Sequence, residues 1–302
     1  MMLTIGSRGS QLALWQARWI KSRLEDLGET CRIEIIRTTG DKITDVPLAK
    51  VGTKGLFTKE IEEALLAGAI DLAVHSMKDL PTLVPEGLAV AAVPEREDPR
   101  DALLGRKLRD LPAGCKVGTS SLRRAAQLRA LRPDLEVEPV RGNLDTRLRK
   151  LEEGRYTAIV LAAAGLKRMG WDGRIAEILS TDYMCPAVGQ GALAIETRDD
   201  GGTAGAICGK LDHPATRTAV TAERAVLAAL GGGCQVPIGA YAAVDGGELH
   251  LTAVVATPDG SRLIRRNAAG PQARAEELGS QLGAELLDAG ADEVLEAVYG
   301  GG

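Results

Sequence analysis

The 302-residue chain has few aromatic side chains and no long apolar run. Eight residues are Phe, Tyr or Trp, and one of these is Phe. The longest apolar stretches, such as Leu88 to Val93, have the length of buried strands, which excludes a bilayer-spanning helix. Stacking aromatics and a positive net charge are both lacking in a chain of net charge -4, so no nucleic-acid partner is expected. The polar start of the chain also lacks the apolar stretch of an export signal, and we expect a cytoplasmic protein without a membrane partner.

Cysteine and histidine are also scarce. The five cysteines stand at wide, irregular spacings, with three histidines in the whole chain and no Cys-x-x-Cys pair. Neither a disulfide framework nor a metal site is therefore expected. Four cysteines have the sequence context of core or strand residues, whereas Cys234 follows three glycines and precedes a proline-bounded turn. A thiol in such a loop is either reactive or structural, and the residues alone leave both roles open.

The net charge hides an uneven distribution. Residues 96–189 contain 18 basic and 13 acidic side chains, a balance of +5, while the rest of the chain has a balance of -9. Fourteen of those 18 basic side chains are Arg, which binds carboxylate or phosphate through two parallel hydrogen bonds. The middle of the chain is therefore predicted to hold an anionic ligand, and an unevenly charged solvated surface is the alternative.

Short β-rich runs alternate with helical periodicity, which predicts parallel α/β sheets. A first α/β domain is predicted over residues 1–95 with 190–212 and a second, Arg-rich one over 96–189, while 213–302 are expected to form a small α+β domain. Thr39 to Gly55 is too polar and too rich in glycine for regular structure, and we predict a mobile surface loop there. Paired α/β domains typically bind a ligand in the cleft between them.

Three positions along the chain resemble anion-binding turns. The segments Ser7 to Ser10 and Thr119 to Arg124 each follow a predicted strand, contain Arg and start a helix. Free backbone N–H groups and the positive helix end make such a turn an anion site, although an ordinary helix cap explains each turn better when it is taken alone. Arg141 and Arg147 flank the predicted N-cap Asn143, where they can share one anion.

The segment His75 to Pro81 follows the apolar run 72–74. Its polar side chains therefore emerge at the carboxyl end of a predicted strand, where open α/β sheets bind their ligands. Asp79 is either a turn residue before Pro81 or a carboxylate that accepts an N–H bond and stabilises a developing cation. The residues alone favour the turn slightly.

Five segments, in order and spread over nearly the whole chain, closely resemble the hydroxymethylbilane synthases, also called porphobilinogen deaminases. They are residues 75–79 (HSMKD), 118–124 (GTSSLRR), 141–143 (RGN), 186–192 (PAVGQGA) and 232–237 (GGCQVP). The resemblance implies two periplasmic-binding-protein-like α/β domains around a cleft and a small C-terminal α+β domain. It implies a transferase that links four porphobilinogen molecules head to tail with loss of ammonia and then releases the linear tetrapyrrole by hydrolysis. The chain of pyrroles grows on a dipyrromethane cofactor held by a thioether, here through Cys234.

The resemblance also assigns roles to individual residues. Asp79 would contact pyrrole nitrogens and stabilise the azafulvenium cation left when ammonia departs. Every pyrrole carries acetate and propionate, which accounts for the Arg-rich middle of the chain. Cofactor binding is expected at Cys234, Ser76, Lys78, Asp79, Thr119, Ser120, Ser121, Arg123 and Arg124, and substrate binding at Arg8, Ser10, Phe57, Arg141, Arg147 and Arg168. Lys54 and Lys59 are expected on or beside the mobile loop.

Three positions depart from the family pattern. Thr53 stands where Gly is common, Gly231 where an acidic residue is usual, and Cys185 where an apolar residue is frequent. Cys185 adds a second thiol near the predicted cleft, so attachment at Cys234 needs its own test. A non-catalytic anion- or solute-binding protein is the alternative function, although it gives the third domain and Cys234 no purpose. We expect a monomer, since no unexplained apolar surface pattern calls for a partner subunit.

Overall fold

The computed structural model describes residues 2–42, 58–231 and 236–299. The strands are β1 (Met2–Ser7), β2 (Thr30–Ile35), β3 (Leu72–Ser76), β4 (Leu88–Ala92), β5 (Asp101–Leu104), β6 (Lys116–Gly118), β7 (Glu136–Glu138), β8 (Ala158–Ala162), β9 (Ile175–Ile178), β10 (Leu193–Arg198), β11 (Ile238–Asp245), β12 (Glu248–Ala256) and β13 (Leu263–Pro271). The helices are α1 (Gln11–Asp26), α2 (Thr39–Lys42), α3 (Lys59–Leu66), α4 (Leu122–Leu131), α5 (Leu144–Glu152), α6 (Ala163–Arg168), α7 (Thr203–Gly209), α8 (Pro214–Ala229), α9 (Ala275–Leu286) and α10 (Asp292–Tyr299).

The first of two structural units combines Met1–Glu97 with Ala192–Arg217. Its strands lie in the order β2-β1-β3-β10-β4. β1 is parallel to β2 and β3, whereas β10 is antiparallel to β3 and β4. The sheet of this unit is therefore mixed, and its antiparallel strand, β10, comes from the later part of the chain.

Helix α1 covers this sheet because its apolar residues recur at helical spacing. Ile20 and Leu24 are fully buried in one core with Leu3 of β1. The helix begins after Ser10, whose Oγ accepts a hydrogen bond from the backbone N–H three residues later at 3.3 Å. It ends before Gly28, where a φ of 88° is tolerated by a residue without Cβ. The start of the helix agrees with the sequence prediction.

The second unit combines Asp98–Gly191 with Thr218–Gly302. Its larger sheet has the order β7-β6-β8-β5-β9, with β6 parallel to β7 and β8, and β5 antiparallel to β8 and β9. In each of these two sheets, the fourth strand in the order is antiparallel to both of its neighbours: β10 in the first unit and β5 in the second. Each is the first strand that follows the point where the chain passes from one unit to the other. The prediction of parallel sheets is therefore wrong for these strands, because a short apolar run carries no signal of strand direction.

The second unit also contains the antiparallel sheet β11-β12-β13. Helices α8 and α9 bury Val226 and Leu282 in its core. The sheet packs closely on other parts of the unit: a Cβ at Gly239 would lie 2.9 Å from the carbonyl oxygen of Pro186. A Cβ at Gly260 would lie 2.6 Å from a backbone nitrogen of α4. Glycine is thus required at both contacts.

These sheets confirm the predicted fold class of two α/β sheets and a small C-terminal α+β part. Strands β5 and β9 and helices α6, α7 and α10 were not predicted from the sequence. The prediction of irregular structure from Thr39 onwards is also wrong at its start, where α2 forms. The backbone N–H of Thr39 donates to the carboxylate of Glu60 at 2.8 Å, a tertiary contact that local composition does not reveal. The domain boundaries stay predictions. None of the helices in the described part of the chain combines the length and apolarity needed to cross a bilayer.

Candidate active site

Two neighbouring parallel strands of the first unit end at one edge of its sheet. β1 leads into Arg8 and Ser10, and β3 leads into a 3-10 turn, Met77–Asp79. Nε2 of Gln16, on α1, donates to Oγ of Ser76 at 2.9 Å. The helix that starts at Ser10 is thereby tied to the end of β3. The structure brings the predicted residues of both segments to the edge where open α/β sheets bind ligands.

The side chain of Asp79 is exposed at this edge, while Ser76 and Lys78 are half-buried. A backbone hydrogen bond of 3.2 Å closes the turn that carries Asp79. Asp79 therefore lies in a turn, as predicted, and its exposed carboxylate is accessible to a ligand, so its catalytic role stays a prediction. Lys59 lies on another element, at the exposed start of α3, with its Nζ 3.9 Å from the carboxylate of Glu63. Such an exposed pair is weak.

A buried histidine–carboxylate pair supports the end of β3. Nε2 of His75 lies 3.0 Å from Oε2 of Glu196, and the two side chains are 6% and 0% exposed. His75 faces Ala194 across the antiparallel β3–β10 ladder, so Glu196 is its diagonal neighbour. Burial, with a further contribution from the charge of Glu196, raises the pKa of the nearby Glu62 carboxyl. The pair fixes the residue directly before Ser76.

The turn between β6 and α4 in the second unit is shaped by its own hydroxyl groups. Oγ of Ser121 accepts from the backbone N–H three residues later at 3.4 Å and caps α4. Oγ1 of Thr119 accepts from the N–H of Ser121 at 3.3 Å, and Ser120 donates to the carbonyl oxygen of Val140 at 2.6 Å. The three predicted hydroxyl residues therefore hold the turn that presents Arg123 and its neighbour.

A fully buried carboxylate, Asp101, pairs with both arginines that follow this turn. Its Oδ2 lies 2.7 Å from Nη1 of Arg123, and its Oδ1 lies 2.9 Å from Nε and 2.7 Å from Nη2 of Arg124. Asp101 is 0% exposed, and the two arginines are 4% and 6% exposed. Burial alone would raise the pKa of Asp101, but the charges and hydrogen bonds of both guanidinium groups outweigh it and hold that pKa well below its ordinary value. Asp101 is therefore ionised at neutral pH.

Gln190 bonds both Asp101 and Arg124, and further arginines lie close to these residues. Its Nε2 donates to Oδ1 of Asp101 at 2.8 Å, and its Oε1 accepts from Nη2 of Arg124 at 3.2 Å. Arg168 is buried and donates to the carbonyl group of the residue after Gln190 at 2.5 Å. Burial, followed by repulsion from Arg124, lowers the pKa of Arg147 to about 10, so this side chain stays protonated at neutral pH. We call Arg123, Arg124, Arg147 and Arg168 the arginine cluster.

The start of α5 agrees with the sequence prediction. Oδ1 of Asn143 accepts from the backbone N–H of Thr146 at 3.0 Å and caps the helix. Nε of Arg147 donates to the carbonyl oxygen of Gly142 at 2.8 Å, so part of its guanidinium group is already bonded. Arg141 is exposed just before the cap. The two predicted anion-binding arginines thus lie within one turn of the same helix start.

Three of the cysteines in the described ranges lack the features of a reactive thiol. Cys185 and Cys208 are 0% exposed, and burial raises the pKa of each thiol to about 12. Cys31 is also buried, and burial raises its pKa. A protonated, covered thiol is a poor nucleophile. The second thiol at Cys185 is therefore an unsuitable attachment point.

Cys234, Lys54 and Phe57 lie outside the described residues, as does Thr53. Their roles stay predictions. No role was predicted for Asp101 or Gln190 from the sequence. Gln190 stands inside one of the quoted motifs, whereas Asp101 opens a short apolar run and finds its partners 22 and 23 residues away. Such distant pairing leaves no local signal.

Comparisons with known proteins add independent information. Residues 3–204 match the family described as "Porphobilinogen deaminase, dipyromethane cofactor binding domain", and residues 217–288 match "Porphobilinogen deaminase, C-terminal domain". The chain is 54% identical over 303 residues to a porphobilinogen deaminase of Syntrophobacter fumaroxidans, which covers 99% of this chain and 98% of the relative. It is 52% identical over 301 residues to that of Geobacter sulfurreducens, over 98% of this chain and 95% of the relative.

Among solved structures, the methionine-binding protein MetQ is similar over 70% of this chain and 89% of its own. The sequence identity is 13% and the TM-score 0.44, a likeness too low to bear on function.

Proposed function

This chain belongs to the porphobilinogen deaminase family, and from that premise we propose how its own residues serve the family's reaction. The function is that of a hydroxymethylbilane synthase, a transferase that joins four porphobilinogen molecules head to tail, loses ammonia at each step and releases a linear tetrapyrrole. A non-catalytic binding protein is not favoured, since both family matches are to the enzyme. The observation that carries the residue assignments is the pairing of Arg123 and Arg124 with the buried carboxylate of Asp101.

The described residues fit the dipyrromethane cofactor of this family. Its acetate and propionate groups bring several negative charges, and in the arginine cluster the guanidinium groups of Arg123 and Arg124 share one bonded carboxylate, Asp101. Nε of Arg123 is buried without a partner among the described residues, which leaves an N–H for a ligand carboxylate. When bound, the dipyrromethane supplies the primer for the growing pyrrole chain. We propose that it is attached through Cys234, a site supported by the inert state of Cys185.

Residues of the second unit are proposed to bind the carboxylates. Arg123 and Arg124, with Thr119, Ser120 and Ser121, would hold the cofactor, and Arg141, Arg147 and Arg168 the incoming substrate and the growing chain. Asp101 supports this role because it holds two guanidinium groups in place before any ligand arrives. Donors that are already oriented lose little free energy to reorganisation on binding.

Asp79 is proposed as the catalytic residue. Loss of ammonia from porphobilinogen leaves positive charge on the pyrrole, and a fixed carboxylate stabilises that charge in the transition state. Its exposed side chain on a closed turn supports this role. Ser76 and Lys78 on the same segment would bind the cofactor, with Gln16 holding Ser76 in place. Arg8 and Ser10 would bind substrate at the same sheet edge, and Lys54, Phe57 and Lys59 would do so from the predicted loop and its border.

We also propose that the chain is a monomer, acts in the cytoplasm and divides into three domains at the predicted boundaries. The division is supported by the core under β11, β12 and β13, which residues of 213–302 form together with Val188 and which is distinct from the cores under the other two sheets.

The attachment site is tested by the intact mass of the purified protein. We expect the mass of the chain plus a dipyrrole, and we expect Cys234→Ala to remove both the added mass and the turnover of porphobilinogen. Cys185→Ala is the matched control, because its buried thiol is protonated and should leave the added mass unchanged.

Three outcomes would contradict the proposal. An unmodified but fully active wild-type protein would exclude a covalent cofactor. Retention of the added mass in Cys234→Ala, or its loss in Cys185→Ala, would place the attachment elsewhere.

A further inference from the structure

Glu223 is a fully buried carboxylate that bonds two backbone N–H groups from different segments. Its Oε2 accepts from the N–H of Gly189 at 2.6 Å, and its Oε1 accepts from the N–H of Ala242 at 2.8 Å. The residue is 0% exposed. A buried carboxylate is costly to desolvate, and an apolar side chain often fills such a space at lower cost. What the carboxylate adds is a fixed position for the two segments that it joins.

One of these bonds spans the segment that contains Cys234. Glu223 lies on α8, which ends at Ala229, and Ala242 lies on β11, which begins at Ile238. The helix precedes residues 232–235 and the strand follows them. A single side chain therefore ties the element before this segment to the element after it.

The other bond leads to the arginine cluster. Gly189 precedes Gln190, whose side chain bonds Asp101 at 2.8 Å and Arg124 at 3.2 Å. A continuous connection thus runs from α8 through Gly189 and Gln190 to the groups proposed to bind the cofactor carboxylates. All of these residues belong to the second unit.

We propose that Glu223 is a positioning residue that holds the helix before the cofactor-attachment segment and the strand after it in register with the arginine cluster. The inference rests on the proposed attachment at Cys234. A cofactor tethered at one point and bound through its carboxylates at another must span a set distance. A shift of about 1 Å between the two anchors weakens binding and slows reaction at the bound group.

The test is a double-mutant cycle read by thermal unfolding. Four purified full-length proteins are compared: wild type, Cys234→Ala, Glu223→Gln and the double variant. The gap in Tm between protein with the covalent cofactor and its Cys234→Ala counterpart measures the stabilisation that the cofactor confers. Glu223→Gln keeps the shape but turns one acceptor oxygen into an NH2 group that faces an N–H donor. We expect the gap to fall to about half or less in the Glu223→Gln background, because coupled sites are not additive.

Val226→Ala is the matched control. Val226 lies on the same helix in the same core and is fully buried, but it has no polar atom to join the connection. We expect Val226→Ala to lower the Tm of the protein with the cofactor and of its Cys234→Ala counterpart by similar amounts, so that the difference in Tm between them stays unchanged. Glu223→Asp serves if Glu223→Gln does not fold, since its shorter carboxylate cannot reach both N–H groups at once.

An unchanged gap in the Glu223→Gln or Glu223→Asp background would overturn the inference and reduce Glu223 to a structural role. A gap that shrinks equally with Val226→Ala would do the same, since general weakening of the core would then explain it. Failure of the proposed function is distinguishable, because wild type and Cys234→Ala would then carry no mass difference beyond the substitution itself.

Discussion

Replacing Asp101 by Asn removes the negative charge that two buried guanidinium groups share. Asp101 is 0% exposed, and Arg123 and Arg124 are 4% and 6% exposed, so water cannot take over its role. The Asn amide keeps one acceptor oxygen but turns an NH2 donor towards the N–H groups of an arginine. Removing one partner of a buried ion pair typically costs about 3–5 kcal/mol, and we expect the free energy of unfolding to fall by that amount.

The measurement is urea unfolding at pH 7, followed by circular dichroism, of wild type and Asp101→Asn. The matched control is Asp134→Asn. Asp134 pairs with Arg132 at the same N–O distance of 2.7 Å, but the two side chains are 39% and 24% exposed. We expect a much smaller loss there, because solvent screens the pair.

Acid titration gives a second test of the same carboxylate. The folded-state pKa of Asp101 lies below its ordinary value of 3.8, so its contribution to stability is complete above that value and is lost as pH falls towards the folded pKa. The gap in unfolding free energy between wild type and Asp101→Asn should therefore be constant near neutral pH and narrow below about pH 4.

If the free energy of unfolding of Asp101→Asn lay within about 1 kcal/mol of wild type, a loss typical of an exposed pair, the buried ion pair would not stabilise the fold as proposed. A gap that did not change with acid would equally show that the charge of Asp101 does not stabilise the folded state.

Two further predictions concern the reaction itself. Asp79→Ala should keep the fold and the covalently added mass. It should lower turnover by about 10²–10³-fold, because one group that stabilises charge in the transition state is lost. Consumption of porphobilinogen near the wild-type rate would exclude the proposed role. Arg141→Leu should raise the apparent KM about tenfold or more, because a charge-assisted hydrogen bond to a substrate carboxylate is lost. Covalent intermediates of chain elongation should also accumulate in time courses of the intact mass. Arg155→Leu is its control, since Arg155 is exposed and pairs with Glu153 at 2.8 Å; equal effects of the two substitutions would contradict the assignment.

Elements with strong local signals could be predicted from the sequence. Ser10, Ser121 and Asn143 cap their helices as expected, because capping depends on a hydroxyl or amide side chain beside the first turn. The strand at residues 72–74 was also predicted, since this apolar run is followed by the polar segment that begins at His75. The direction of strand β5 could not be predicted, because its antiparallel pairing depends on where the chain crosses between units.

The residues of the candidate site likewise divide into those that the sequence predicted and those that only the structure revealed. The sequence alone determined that Arg123, Arg124 and Asp79 follow strand ends, because parallel strands place such turns at one sheet edge. The five motifs were also enough to indicate the family. Only the tertiary structure identified the partners of the two arginines, since Asp101 reaches them across 22 and 23 residues of chain and Gln190 reaches Arg124 across 66. Whether a buried charge is stabilised depends on what packs around it, and local sequence does not contain that information.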